Sequence, residues 1–225
     1  MNRFVYLDLL ALTVASIIAG AVLPFCTAAH SQNPEWMNFT SGTYVNALAD
    51  DENYLWIGGD GVTRLDKATG EIVFYNKETS GLPNYCVSAL AIDIQENIWI
   101  GTYHGGLAKF DGTNCTRYNK ETSGLPSNYV WALAIDAQGN IWVGTYGGGL
   151  AKFDGTDWTI YNMGNSGLPD NKVDALAIDA QGDKWIGTCG GGLAKFDGES
   201  WTVYNPGNSG LPDDCVSALA IDAQG

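Results

Sequence analysis

Trp56, Trp99, Trp142 and Trp185 lie 43 residues apart. The same interval separates the Ser-Gly-Leu-Pro tetrads that begin at Ser80, Ser123, Ser166 and Ser209, and the aspartates Asp93, Asp136, Asp179 and Asp222. A fixed period between about 20 and 50 residues restricts a chain to solenoids, propellers or arrays, in which each copy buries its apolar surface on the next. Every other reading of this sequence follows from that repeat.

One copy, Val130 to Asn162, reads as four short strands. Val130 to Asp136 is an almost continuous apolar run bounded by turns, as expected of a strand covered on both faces, and its small alanines leave room for a neighbouring sheet. Asp136-Ala-Gln-Gly-Asn140 is a turn, with Gly139 free to take positive φ. Ile141 to Thr145 is the second strand, with Trp142 as its large buried residue. After the glycines at 147 to 149, Leu150 to Phe153 alternates as a third strand. Asp154-Gly155 is a hairpin signal, and Trp158 to Tyr161 is an aromatic-rich fourth strand.

Four up-and-down strands in a unit of about forty residues are the blade of a β-propeller. No stretch after residue 30 carries the 3.6-residue apolar period of a helical array, and the Gly-His and Trp-Asp dipeptides of WD40 arrays are missing. The expectation is an all-β propeller of four-stranded antiparallel blades at 44–75, 87–118, 130–161 and 173–204. Trp36 to Thr40 matches a fourth strand and Val216 to Asp222 an inner strand, so partial blades are expected at both ends. The sequence stops in the turn where Asn-Ile-Trp is due, which predicts a fragment of a larger ring, about six to eight blades.

The first 30 residues stand outside the repeats. Arg3 precedes an apolar run from Leu9 to Phe25, and Thr27-Ala28-Ala29 places small residues where a signal peptidase reads. A cleaved signal peptide is expected, with a membrane anchor over Phe4 to Phe25 as the alternative. Either one places residues 31–225 in the periplasm or outside the cell, and the membrane is a partner only through this segment.

The net charge is −14, without a basic cluster, which argues against nucleic acid and against anionic membrane surfaces as partners. The cysteines fall on repeat positions held elsewhere by other residues. Cys86 and Cys215 are equivalent, Cys115 stands at a Trp position and Cys189 at a Tyr position. Cys189 and Cys215 are expected on one rim of neighbouring blades, where an exported chain can join them as a disulfide. No pair has Cys-x-x-Cys spacing, and one carboxylate per turn falls short of what calcium takes, so neither a metal site nor a cofactor is expected.

His30 and His104 are the two histidines, and no Ser or Cys has the context of a nucleophile. No catalytic residue is assigned, and a non-enzyme is expected. Loops between the second and third strands, and those entering each inner strand, emerge on one propeller face. That rim gathers Tyr85, Tyr103, His104, Tyr129, Trp131, Tyr146 and Lys172. Aromatic rings with polar handles suit a glycan, peptide or protein ligand. Trp131 replaces the Ser or Asp of other inner strands with no packing reason visible in the sequence.

The repeated Asn-Ile-Trp-Ile-Gly-Thr, Gly-Gly-Leu-Ala-Lys-Phe-Asp-Gly, Ser-Gly-Leu-Pro and Ala-Ile-Asp elements resemble the two-component regulator propeller repeat of bacteria. The resemblance spans residues 36–225. It implies an extracytoplasmic propeller, often the sensor part of a hybrid histidine kinase that recognises glycans or other ligands. The alternatives are a secreted carbohydrate-active lyase or hydrolase, and a structural or adhesive scaffold.

Overall fold

The computed structural model describes residues 44–222. The N-terminal segment at 1–30 and the strand expected at Trp36 to Thr40 lie outside them. Four four-stranded antiparallel sheets follow one another along the chain, each a simple meander. The first holds β1 (Ala47–Asp50), β2 (Tyr54–Gly59), β3 (Gly61–Asp66) and β4 (Ile72–Tyr75). One helical turn, α1 (Lys77–Ser80), is capped by Asn76, whose side chain accepts from Glu78 and Thr79 N–H. The second sheet holds β5 (Val87–Ile92), β6 (Ile98–Thr102), β7 (Gly106–Phe110) and β8 (Cys115–Tyr118). The third holds β9 (Val130–Ile135), β10 (Ile141–Thr145), β11 (Gly149–Phe153) and β12 (Trp158–Tyr161). The fourth holds β13 (Val173–Ile178), β14 (Lys184–Thr188), β15 (Leu193–Phe196) and β16 (Trp201–Tyr204).

These sheets are propeller blades, and the core lies between them. Each cluster of buried side chains spans two neighbouring blades: Trp99 and Leu107 of the second, for instance, meet Val130, Ile141, Val143 and Phe153 of the third. A Trp, Tyr and Phe ladder repeats at every seam. Trp99 stacks on Tyr118 at 5.7 Å, and Tyr118 meets Phe153 of the next blade at 5.1 Å. Trp142, Tyr161 and Phe196 repeat this at 5.9 and 5.2 Å. The leucines of the Ser-Gly-Leu-Pro loops (Leu82, Leu125, Leu168) are buried in the same seams, so these loops are hydrophobic plugs as well as connections.

Two devices hold the blades in place. The second strand carries a glycine against the next inner strand: a Cβ added at Gly101 would come 2.6 Å from Val130 Cγ1, and one at Gly144 2.6 Å from Val173 Cγ1. Close approach of the sheets therefore requires a residue without a side chain. The turn aspartate does more than shape its turn. Asp136 accepts backbone N–H bonds from Gln138 and Asn140, both through Oδ1, and its Oδ2 takes the buried Trp142 indole N–H at 2.9 Å. Asp93 with Trp99 and Asp179 with Trp185 repeat the bond at 2.9 Å. Burial pushes the Asp136 carboxyl up, but the bonds from Trp142 and Asn140 outweigh it and hold the group below the usual carboxylate range.

Val216 to Asp222, expected as an inner strand, is not laddered. It is held at its start by the bridge between Cys189 and Cys215 and by Val216 N–H donating to Thr188 O. The other inner strands each pair with a second strand of their own blade, and among the described residues none takes that place here. No helix among the described residues is long and apolar enough to cross a membrane.

Candidate functional site

The same backbone frame recurs at one rim. The residue after the second strand bridges the residue that precedes the next inner strand or segment: Asp60 with Cys86, Tyr103 with Tyr129, Tyr146 with Lys172, and Cys189 with Cys215. A register shift sits at the mouth of the inner strand. In β9, Val130 pairs with Thr145 and Ala132 with Gly144, leaving Trp131 out of the ladder. Ser88 in β5 and Asp174 in β13 are skipped in the same way. A bulge frees one residue from pairing and re-aims its side chain, which accounts for the odd residue at 131.

At the seam of the second and third blades, five of the expected rim residues come together. Tyr103, His104, Tyr129, Trp131 and Tyr146 line a cavity of about 610 Å³ with Lys120, Pro126, Ser127 and Gly147. Trp131 lies between Tyr103, nearly parallel at 6.4 Å, and Tyr146 at 4.7 Å. His104 packs on Tyr129 at 4.3 Å and meets Tyr103 edge-on at 4.8 Å. Tyr103 and Tyr146 remain 41% exposed, so aromatic surface is left open at the cup. His104 has φ of +101°, whereas its repeat equivalents are Gly147 and Gly190, both also at positive φ. A side chain is thus held in a backbone region that disfavours one, at the wall of the cavity.

The other two expected rim residues sit elsewhere. Lys172 does not line the cavity but lies over the outer Tyr146 ring, its ammonium 5.1 Å from the centroid. Tyr85 stands apart from the cup, hydrogen-bonded to Glu78 on α1 and flanked by Lys77. Its repeat position is Asn128 in the next copy, so only that position, and not the aromatic cluster, is shared. Lys120 and Ser127 escaped the sequence reading. Ser127 belongs to a recurring cap: its Oγ accepts from Tyr129 N–H, as Asn84 accepts from Cys86 and Asp170 from Lys172. Lys120 follows the fourth strand, where the repeat varies freely, and no sequence signal marks it.

The cup offers flat aromatic faces, an imidazole and an ammonium group, and no carboxylate lines it. It suits a ligand with a planar or apolar ring face and polar edges.

At the fourth blade the same frame carries other chemistry. Cys189 and Cys215 are joined as a disulfide, and the Asp174 carboxylate lies beside them. Asp174 Oδ1 is buried without a hydrogen-bond partner. Burial pushes its carboxyl above the usual range, with Lys172 opposing and Asp170 reinforcing the shift. Cys86 and Cys115 are free thiols, both pushed up by burial.

Residues 81–104 and 124–147 match the family described as two component regulator propeller. Two of the repeats thus carry the sequence pattern of that propeller family. The repeats superpose on the extracellular domain of a hybrid two component system from B. thetaiotaomicron with a TM-score of 0.66 and 21% identity, over 81% of this chain and 25% of that one. PorZ, a surface component of the type-IX secretion system of Porphyromonas gingivalis, gives 0.59 at 17% identity, over 89% of this chain and 32% of that one. An ancestral GH74 enzyme gives 0.58 at 18%, over 79% and 25%. These likenesses show the propeller fold, and the chain spans about a quarter to a third of each of these structures. No curated protein matches the sequence.

Proposed function

We propose that this chain is a noncatalytic, exported propeller segment that binds a ligand in the aromatic cup and serves as sensor portion of a two-component signalling protein. The observation that carries this reading is the gathering of Tyr103, His104, Tyr129, Trp131 and Tyr146 around one cavity, with Trp131 released from its strand by a bulge. The family of the repeats and the similarity to an extracellular sensor domain support the signalling context. The apolar N-terminal run supports export. One imidazole with no carboxylate beside it in the lining supports binding over acid–base chemistry. The ligand is an oligosaccharide or a short peptide that lays a ring on Trp131 and Tyr146.

Intrinsic fluorescence of the full chain, titrated with neutral and acidic oligosaccharides and with Tyr- or Trp-bearing peptides, tests this. At least one series should saturate, and Trp131→Ala should weaken it about tenfold or more, as loss of a central aromatic anchor does. Saturable binding that is unchanged in both Trp131→Ala and Tyr146→Ala, or no binding across the panel, would overturn the reading.

A further inference from the structure

The frame that forms the aromatic cup at one seam carries three metal-ligating side chains at another. The bulge residue is Asp174, the residue after the second strand is Cys189, and the residue before the next inner segment is Cys215. One seam earlier, the same three places hold Trp131, Tyr146 and Lys172. The two sulfurs and a carboxylate oxygen of Asp174 all lie within 4.8 Å of one another. Asp174 Oδ1 is buried and receives no hydrogen bond, which leaves a carboxylate oxygen in want of a partner.

We propose that Cys189, Cys215 and Asp174 form a thiol-gated site for a soft divalent ion of the zinc type. With the disulfide closed, the sulfurs hold each other and the site is shut. A thiol reductant opens it: the S–S bond breaks, each sulfur gains one electron and one proton, and the reductant becomes its own disulfide. The ion then displaces the two thiol protons and binds two thiolates and the Asp174 carboxylate, with a fourth position open to solvent or to a ligand. A tetrahedral ion with metal–sulfur bonds of about 2.3 Å sets its sulfurs about 3.8 Å apart, a small movement from the bonded pair. Two thiolates and one carboxylate select zinc-type ions over calcium and magnesium, which take oxygen sets. Spacing rules miss the site because its ligands come from three separated places, brought together by the blade frame.

The test uses the full chain with Cys26, Cys86 and Cys115 replaced by serine. The protein is reduced with a dithiol, desalted without oxygen and titrated with Cd²⁺, reading the thiolate-to-cadmium charge-transfer band. The expected result is saturation at one ion per chain in the reduced protein and no band in the oxidised protein. Asp174→Ser, which installs the residue found at position 88, should retain the band and weaken binding about tenfold or more. Three results would overturn the proposal: no saturable band after reduction, affinity unchanged in Asp174→Ser, or loss of the cooperative thermal transition on reduction alone, since the frame must persist to hold the ion.

Discussion

Replacing His104 by glycine and by alanine separates the strain in its backbone from the contacts of its ring. Both variants lose the packing on Tyr129 at 4.3 Å and on Tyr103 at 4.8 Å. Each aromatic pair contributes about 0.5–1.5 kcal/mol beyond burial, so the ring stabilises the folded chain by about 1–3 kcal/mol. Only alanine keeps a Cβ at φ of +101°, where a side chain costs about 1–2 kcal/mol. Glycine is relieved of that cost but loses about 0.4–1 kcal/mol through its freer unfolded chain. The net expectation is that His104→Gly is about 1 kcal/mol more stable than His104→Ala. In a chain of this size that is about 2–4 °C in melting temperature, readable by differential scanning calorimetry. Ligand affinity in the cup should fall equally in both, because both lack the imidazole. An alanine variant as stable as the glycine variant would show that residue 104 is not strained, and the link between strain and the cup wall would go with it.

Other outcomes follow from the seams. Asp136→Ala strands the Trp142 indole N–H, 3% exposed, together with two backbone N–H groups of the turn. Urea unfolding should show a loss of about 3 kcal/mol, with Asp136→Asn intermediate because it keeps an acceptor oxygen. Asp93, Asp136 and Asp179 all have folded-state pKa values below the ordinary one: burial raises each, and bonds from the Trp indole and turn residues outweigh it. A depressed folded value means stability present above the unfolded pKa and lost below it, so the urea midpoint should decline from about pH 5 downward. A midpoint flat to pH 2 would contradict the indole–carboxylate bonds. Gly144→Ala sets a Cβ 2.6 Å from Val173 Cγ1 and should cost about 1–3 kcal/mol. Gly210→Ala, with nothing within 4 Å of its new Cβ, should change stability by less than about 0.5 kcal/mol.

The blade itself was legible because it is written in periodic residues. The Trp at 43-residue intervals, the turn aspartates and the alternating strands each act within one copy or on the next one along, so spacing alone carries them. What the spacing does not carry is geometry across the seam. Asp136 reads in the sequence as a turn former, and nothing in Asp-Ala-Gln-Gly-Asn announces that a carboxylate oxygen turns back to an indole six residues on. Trp131 lies inside the inner strand as the sequence suggests, but a register shift, which spacing does not encode, leaves it without a ladder partner. Loop position places Tyr85 on the rim but does not say which neighbours it meets: it bonds Glu78 on α1 and does not line the cavity. Lys120 and Ser127 reach the cavity through the path of their loop, which no local pattern encodes.

The repeat divides its residues between two tasks, and burial shows where the division falls. Trp142 is 3% exposed, Val173 fully buried, and Gly144 has no room for a methyl group, so these stacking residues have little freedom to change. The bulge residue and the two bridge residues at the rim are different. They meet their neighbours through backbone hydrogen bonds, such as Tyr146 N–H to Tyr129 O and Cys189 N–H to Lys172 O, which any side chain permits. Tyr103 and Tyr146, at one of these places, stay 41% exposed. Chemistry at the rim therefore varies from seam to seam at little cost to the fold. Serine at 88 donates to the Val130 carbonyl, tryptophan at 131 joins an aromatic cup, and aspartate at 174 lies beside two sulfurs. Near-identical blades are compatible with a specific site for this reason. Three positions per seam, joined at the cup by loop residues such as His104, carry the variation, and packing leaves them free.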